Sequence, residues 1–414
     1  MSSPELRRSL PALIAGLTVS IVFFAVLSIM LTVTGPRGLD LSARRTSGWI
    51  ALVYGLPMIP SLVLTLRYRM PLLLTGNIFA LIFFATLGDR FEFAELIGAT
   101  IVAGAVVLVT GALRITGRLA RWIPGPIVNG LIAGAVMPFV VNMFTSLSTA
   151  GGTEVPIMVA CAVGAYLVST LVFGARLPAI LPAFLAGFLA AAVTGQLGAI
   201  PTSVSAPGLE AIRPAFTWNA ILTLSPVLLA LMTVQANVPS VIYLRSQGYR
   251  PPERAIDLVC GVGTVLGSLF GPVPVSLAIP PTLVLGGPTA GDRSLRYRSA
   301  FLPIAAGLGI AVFAGVAAEL AVLIPPALLL GIAGLALLPA LVAALREIAS
   351  GPLVLGPLFA FAIALSKMSV AGLGPFFWSL VLGTVVSLLF ERDGWRELAT
   401  ERQVPAAATD PGGS

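Results

Sequence analysis

Histidine is absent from this 414-residue chain, lysine occurs once, at Lys367, cysteine twice, and only 10% of the residues are charged. Without imidazole there is no histidine-centred metal site, no histidine-based triad and no histidine proton relay. Cys161 and Cys260 both fall inside apolar runs. Neither a disulfide framework nor metal-ligand spacing follows from them, and they read as small packing residues. No apolar run carries paired carboxylates, so an intramembrane enzyme would lack both a nucleophile with its base and a metal cluster. No metal or cofactor is expected. The basic charge is nearly all arginine and is scattered through short loops, so the net charge of +7 marks topology and no nucleic-acid surface.

What the chain has in abundance is apolar surface: 57% hydrophobic residues and a mean hydropathy of +1.01. No water-soluble domain hides that much, so the lipid bilayer is its solvent. With roughly 20 apolar residues per crossing, candidate segments are Pro11–Thr34, Gly48–Leu66, Pro71–Leu87, Phe93–Leu113, Pro126–Phe144, Pro156–Phe173 and Pro178–Leu197. Seven more follow: Ala220–Ile242, Ala255–Phe270, Val273–Leu285, Ala300–Glu319, Leu323–Leu345, Pro352–Lys367 and Leu373–Phe390. The first is long enough to span and is read as a retained helix, not a signal peptide. Fourteen segments put both termini on one side. With that side cytoplasmic, all of the 24 basic residues but Arg37, Arg44, Arg45, Arg90, Arg213 and Lys367 lie inside.

An offset of 201 residues places Pro71 on Pro272, Thr75 on Ser276, Ile123-Pro124 on Ile324-Pro325 and Gly130 on Gly331. Such a period points to an internal repeat. Seven segments is an odd number, so two such repeats have inverted topology. The expected fold is therefore an all-α membrane protein of fourteen segments in two inverted seven-segment repeats. Residues 199–218 between them are expected to lie on the outer surface as an interfacial helix. Residues 391–414 are expected to be a disordered cytoplasmic tail.

Five prolines between Gly271 and Gly291, and a matching Pro-initiated stretch from Pro71, interrupt the tenth and third segments. Irregular backbone at bilayer depth is tolerated where it lines a cavity. Pro71–Leu74 and Pro272–Val275 are read as extended stretches leading into half-helices capped at Thr75 and Ser276. The amides of Gly76, Asn77 and Ile78, and of Leu277, Ala278 and Ile279, would then face one anion with two positive dipole ends. A helix starting at Pro280 would offer fewer. Small hydroxyls also serve plain packing in membrane helices, but the symmetric pair beside prolines favours a site. In the eighth segment Gln235 and Asn237 are costly unless partnered, as bundle glue or as substrate contacts, and Pro239 would bend or end the helix. Acidic candidates for proton coupling are Asp89, Glu92, Glu95 and Glu319, all near segment ends and more simply read as interfacial.

The run Gln235-Ala-Asn237-Val-Pro239, then Leu244-Arg245, Gly248-Tyr249 and Pro251-Pro252, resembles the benzoate transporter family, as do Phe270-Gly271 and Thr289–Arg298. That family is similar in turn to the uracil and xanthine permeases and to the sulfate permease group. The resemblance implies core and gate domains: residues 1–113 and 219–322 would form the core, residues 114–198 and 323–390 the gate. It also implies a substrate held between the third and tenth half-helices with help from the eighth. The substrate-binding candidates are Thr75, Gly76, Asn77, Gln235, Asn237, Ser276, Leu277 and Ala278. Nucleobase permeases hold the base with carboxylates on the eighth and tenth segments, and neither carries one here. Amides, hydroxyls and carboxamides without fixed negative charge suit a small anion with an organic body. The expected function is secondary active transport of benzoate or another aromatic carboxylate, with proton coupling, by alternating access. Alternatives are a nucleobase or inorganic-anion transporter or exchanger of the same fold, an anion channel, or a carrier fold used as a sensor or assembly subunit. Gly130, Gly134, Gly331 and Gly334 would let gate helices approach closely, and suit a homodimer contact equally well.

Overall fold

The computed structural model describes residues 3–401 except 36–37, 88–89, 120–123, 146, 148–153, 175–178, 199–205, 367, 369 and 372. Its first half runs α1 (Ser3–Thr34), α2 (Ala43–Gly55), α3 (Met58–Tyr68), β1 (Leu74–Gly76), α4 (Ile78–Leu87), α5 (Phe93–Ala112), the short α6 (Thr116–Leu119), α7 (Gly125–Thr145), α8 (Glu154–Phe173) and α9 (Ile180–Val193). The second half opens with α10 (Trp218–Met232), a π-helical turn at Thr233–Asn237, α11 (Val238–Ser246), α12 (Glu253–Gly267), β2 (Val275–Leu277) and α13 (Ile279–Gly286). It closes with α14 (Phe301–Val312), α15 (Ala314–Leu323), α16 (Pro326–Ser350), α17 (Leu355–Leu365), α18 (Pro375–Phe390) and α19 (Arg392–Glu401).

The protein is a predominantly helical, multi-pass membrane protein. Among the described residues seven helical stretches are long and apolar enough to cross a bilayer: Arg8–Thr34, Ala43–Tyr68, Phe93–Ala112, Gly125–Thr145, Val155–Phe173, Trp218–Ser246 and Pro326–Ser350. Shorter apolar helices lie at Ile78–Leu87, Ile180–Val193 and Leu355–Leu365.

Glycine sets the tightest helix contacts. A Cβ on Gly334 of α16 would come within 2.8 Å of the Phe139 carbonyl and 2.9 Å of the Met143 Cβ on α7. Gly130 of α7 meets the Pro357 carbonyl of α17 still more closely. These glycines therefore serve contacts within the chain. Phe83 of α4 and Phe376 of α18 meet edge to face, 4.9 Å between centroids.

Two expectations are corrected. The linker is not a helix over its described part, residues 206–217, because Pro207 and Pro214 withhold amides. It lies extended across the helix ends instead: Ile212 donates to the Leu269 carbonyl and Ala215 to the Ala94 carbonyl, each at 2.9 Å, and the Gly208 amide donates to Ser47 Oγ at 3.1 Å. Glu210 anchors it to Arg44 at 2.7 Å. The tail does not begin disordered, since Arg392–Glu401 form α19, where Asp393 pairs with Arg396 at 3.0 Å. Residues 402–414 lie outside the described residues.

Candidate functional site

Strands β1 and β2 pair antiparallel at the point where the two broken segments meet, with Thr75 opposite Ser276, Leu74 opposite Leu277 and Gly76 opposite Val275. Extended backbone away from water needs partners for its outward amides. Each neighbouring helix supplies them from two hydroxyls four residues apart. Ser61 Oγ accepts from the Leu74 amide at 2.8 Å and Thr65 Oγ1 from that of Leu72 at 3.3 Å. On α12, Thr264 Oγ1 accepts from the Val275 amide at 2.9 Å, and at its C-cap Ser268 Oγ accepts from that of Val273 at 3.2 Å. Trp49 Nε1 fixes the entry to the second stretch by donating to the Pro272 carbonyl at 2.9 Å.

The half-helices begin three residues later than the expected caps. Thr75 and Ser276 are strand residues, α4 starts at Ile78 and α13 at Ile279. Asn77 caps α4 instead: its Oδ1 accepts from the Ala80 amide at 3.1 Å, and its Nδ2 donates to the Leu231 carbonyl at 3.0 Å and to Ser276 Oγ at 3.1 Å. Two of the expected donor amides are already engaged. The Asn77 amide donates to the Pro274 carbonyl at 2.7 Å, and the Leu277 amide to Asn237 Oδ1 at 2.8 Å. Pro280 and Pro281 occupy the first turn of α13, so that end offers fewer donors than a regular helix.

The eighth segment does not end at Pro239. It passes through the π-helical turn, in which the Val238 amide reaches back five residues to the Thr233 carbonyl, and continues as α11. A π turn absorbs the amide that proline lacks, and such turns recur at functional sites. Asn237 points into the fold from this turn. Besides accepting from Leu277, it donates from Nδ2 to Asp257 Oδ1 at 3.1 Å. Ser240 holds the Leu277 carbonyl at 2.8 Å.

The eight candidates thus divide. Asn77, Asn237, Ser276 and Leu277 are buried and hydrogen-bonded between the strands and the neighbouring helices, Ser276 Oγ as an acceptor from Asn77. Thr75, Gly76, Gln235 and Ala278 are partly exposed. Among the described residues the Thr75 hydroxyl and the Gln235 carboxamide have no side-chain hydrogen bond, so their donors and acceptors are not engaged within the fold. Gly76 abuts Val53, whose Cγ1 would lie 2.7 Å from any Cβ there.

Of the acidic candidates, Glu92 and Glu95 form a capping box on α5, and Glu95 also accepts from the Thr217 hydroxyl at 2.6 Å. Asp89 lies outside the described residues. Sequence reasoning missed Asp257, and the signal was its place just inside the ninth apolar run. It missed the Ser61/Thr65 and Thr264/Ser268 pairs as well, which stand out only as hydroxyls at i, i+4 beside each broken segment.

Comparison with known proteins adds the family. The model of the benzoate membrane transport protein family matches residues 7–389. The benzoate membrane transport protein of Acinetobacter baylyi is 25% identical over 381 residues, covering 91% of this chain and 94% of the relative. Inner membrane protein YdcO of Escherichia coli is 25% identical over 365 residues, covering 85% of this chain and 90% of the relative. Among solved structures, the transmembrane domain of the cyanobacterial bicarbonate transporter BicA superposes with a TM-score of 0.56 at 17% identity, over 92% of this chain and 97% of that one. The murine Solute Carrier 26 family member A9 anion transporter, in its inward-facing state, gives 0.63 at 12% identity, over 95% and 69%. At these identities the two structures show a shared fold.

Proposed function

The chain belongs to the benzoate membrane transport protein family, a family of membrane transporters and not of enzymes, and from that premise we propose that it is a secondary active transporter of benzoate or another small aromatic carboxylate, coupled to protons. The observation that carries this reading is the β1–β2 pair, which holds Thr75 and packs against the π turn that carries Gln235, the Thr75 hydroxyl and the Gln235 carboxamide being unengaged among the described residues. Donors of this kind suit a carboxylate, and the surrounding apolar residues suit a ring.

In this reading the fourteen segments form two inverted repeats. Support comes from the elements themselves: β1 and β2, the starts of α4 and α13, and the starts of α7 and α16 are each 201 residues apart. The core would carry the strand pair and slide against the gate of α7–α9 and α16–α18, giving alternating access. The arginine distribution favours cytoplasmic termini, and the Escherichia coli relative, named an inner membrane protein, favours that membrane.

Uptake of labelled benzoate into proteoliposomes, with and without an inward proton gradient and against a competition panel of carboxylates, bicarbonate, sulfate and uracil, tests the proposal. Gradient-stimulated benzoate uptake, competed by aromatic carboxylates, is expected. Flux of bicarbonate or sulfate without benzoate flux would make it an inorganic-anion carrier and refute the substrate assignment.

A further inference from the structure

Asp257 sits in the second turn of α12 with 7% of its surface exposed, between two very different neighbourhoods. On one side its Oδ1 accepts from Asn237 Nδ2, and Asn237 Oδ1 accepts from the amide of Leu277, next to Ser276. The carboxyl group is therefore two hydrogen bonds from the strand pair. On the other side is a cavity of about 500 Å³ lined by Tyr68, Arg114, Thr116, Glu253, Arg254 and Asp257 itself. It opens among the loops that follow α3, α5 and α11. Helix α5 closes the remaining side through Gly111, whose missing Cβ would strike that of Asp257.

Resting on the reading of the chain as a proton-coupled anion carrier, we propose that Asp257 carries the coupling proton and releases it into this cavity. Ionised, it sets a negative charge behind the strand pair and opposes an incoming carboxylate. Protonated, it is neutral, and its carbonyl oxygen still accepts from Asn237, so the anion is admitted. On release, the carboxylic acid gives its proton to water in the cavity and becomes a carboxylate again, which disfavours the anion at the strands. One proton and one carboxylate cross together, and the cycle is electroneutral.

The other charged or titratable groups around it are few. Tyr68, Arg114, Glu253 and Arg254 line the cavity, Glu253 being paired with Arg245. Cys260 lies one turn on, its thiol 3.9 Å from Asn237 Oδ1. Of the elements packed along α12, β2 has no titratable residue and α5 only Glu95, at its opposite end.

The test uses the full chain in proteoliposomes with a trapped pH dye and labelled benzoate, protein-free vesicles correcting for passive permeation of benzoic acid. Asp257→Asn is expected to lose gradient-driven accumulation and benzoate-linked proton entry while keeping benzoate/benzoate exchange at equal pH. Asp257→Glu is expected to accumulate benzoate with a shifted pH profile. The proposal is overturned if Asp257→Asn accumulates benzoate with the wild-type pH profile, or if both variants lose exchange together with accumulation. Should Asp257→Asn not yield folded protein, the Asp257→Glu profile decides: shifted supports the role, unchanged overturns it. Wild-type protein with no benzoate flux at all would instead sink the transport reading, and this proposal with it.

Discussion

Gln235 and Asn237 are two residues apart in one π turn, yet their replacement by alanine has opposite consequences. Asn237→Ala removes the acceptor of the Leu277 amide and the donor to Asp257 Oδ1, both buried. A buried polar group left without its partner costs about 1–3 kcal/mol, so the variant is expected to lose about 2–6 kcal/mol of stability. Gln235→Ala removes no intramolecular hydrogen bond among the described residues, and its stability change should stay within about 0.5 kcal/mol. A carboxamide bonded to a carboxylate is worth about 1.5–3 kcal/mol, so the same change should raise the KM for benzoate about 10- to 100-fold. Thermal unfolding in detergent, followed by tryptophan fluorescence, reads the first effect, and initial uptake rates in proteoliposomes read the second. The reasoning is refuted if Gln235→Ala destabilises the fold as much as Asn237→Ala, or leaves KM unchanged in a protein that transports benzoate.

Two further outcomes follow from local geometry. Glu391, just beyond α18, accepts from the amides of Val354 and Leu355 at 2.6 Å and of Gly356 at 2.9 Å, and from the Ser387 hydroxyl at 2.7 Å. Partial burial pushes its pKa up, but these hydrogen bonds outweigh that and hold it below the ordinary 4.5. A carboxylate with a depressed folded-state pKa contributes stability above its unfolded pKa and loses it as pH falls through the folded one. Glu391→Gln should therefore lower the melting temperature at neutral pH, with the gap closing below pH 4.5; a gap independent of pH would refute this. Gly334→Leu forces side-chain atoms against Phe139 and Met143 and should destabilise the α7–α16 contact by about 1–3 kcal/mol in the same unfolding assay. Unchanged stability would show that the contact is looser than the structure has it.

How far the sequence carries one depends on which residues are asked. The prolines at 71 and 272, with the 201-residue offset, locate the two extended stretches, and Thr75 and Ser276 do face each other in the ladder. The offset works because proline leaves the backbone few alternatives. The start of each half-helix was not legible: a hydroxyl after an extended stretch reads equally as a cap or as a strand residue. What decides is the pairing of two segments 201 residues apart, a tertiary event. Likewise Gln235 and Asn237 look alike in sequence, and only the packing of β2 against the π turn makes one scaffold and leaves the other available. Asp257 escaped notice because it follows Arg254 at the edge of an apolar run, where carboxylates are normally solvated; its burial comes from α5 across the interface. The linker misled in the opposite way. Its mixed polarity suits an interfacial helix, but Pro207 and Pro214 and hydrogen bonds to distant helix ends hold it extended.

Ligand protection of a single cysteine at the strand pair tests the central claim most directly. The chain has only Cys161, which is exposed, and Cys260, which is buried. Thr75→Cys in a Cys161→Ser background therefore places one reactive thiol beside the candidate site. In transport-competent vesicles, a small hydrophilic thiol reagent should modify it, and benzoate should slow the reaction with a half-maximal concentration matching the KM for uptake. Undiminished labelling at saturating benzoate, in protein that still transports it, would place the anion elsewhere and contradict the account.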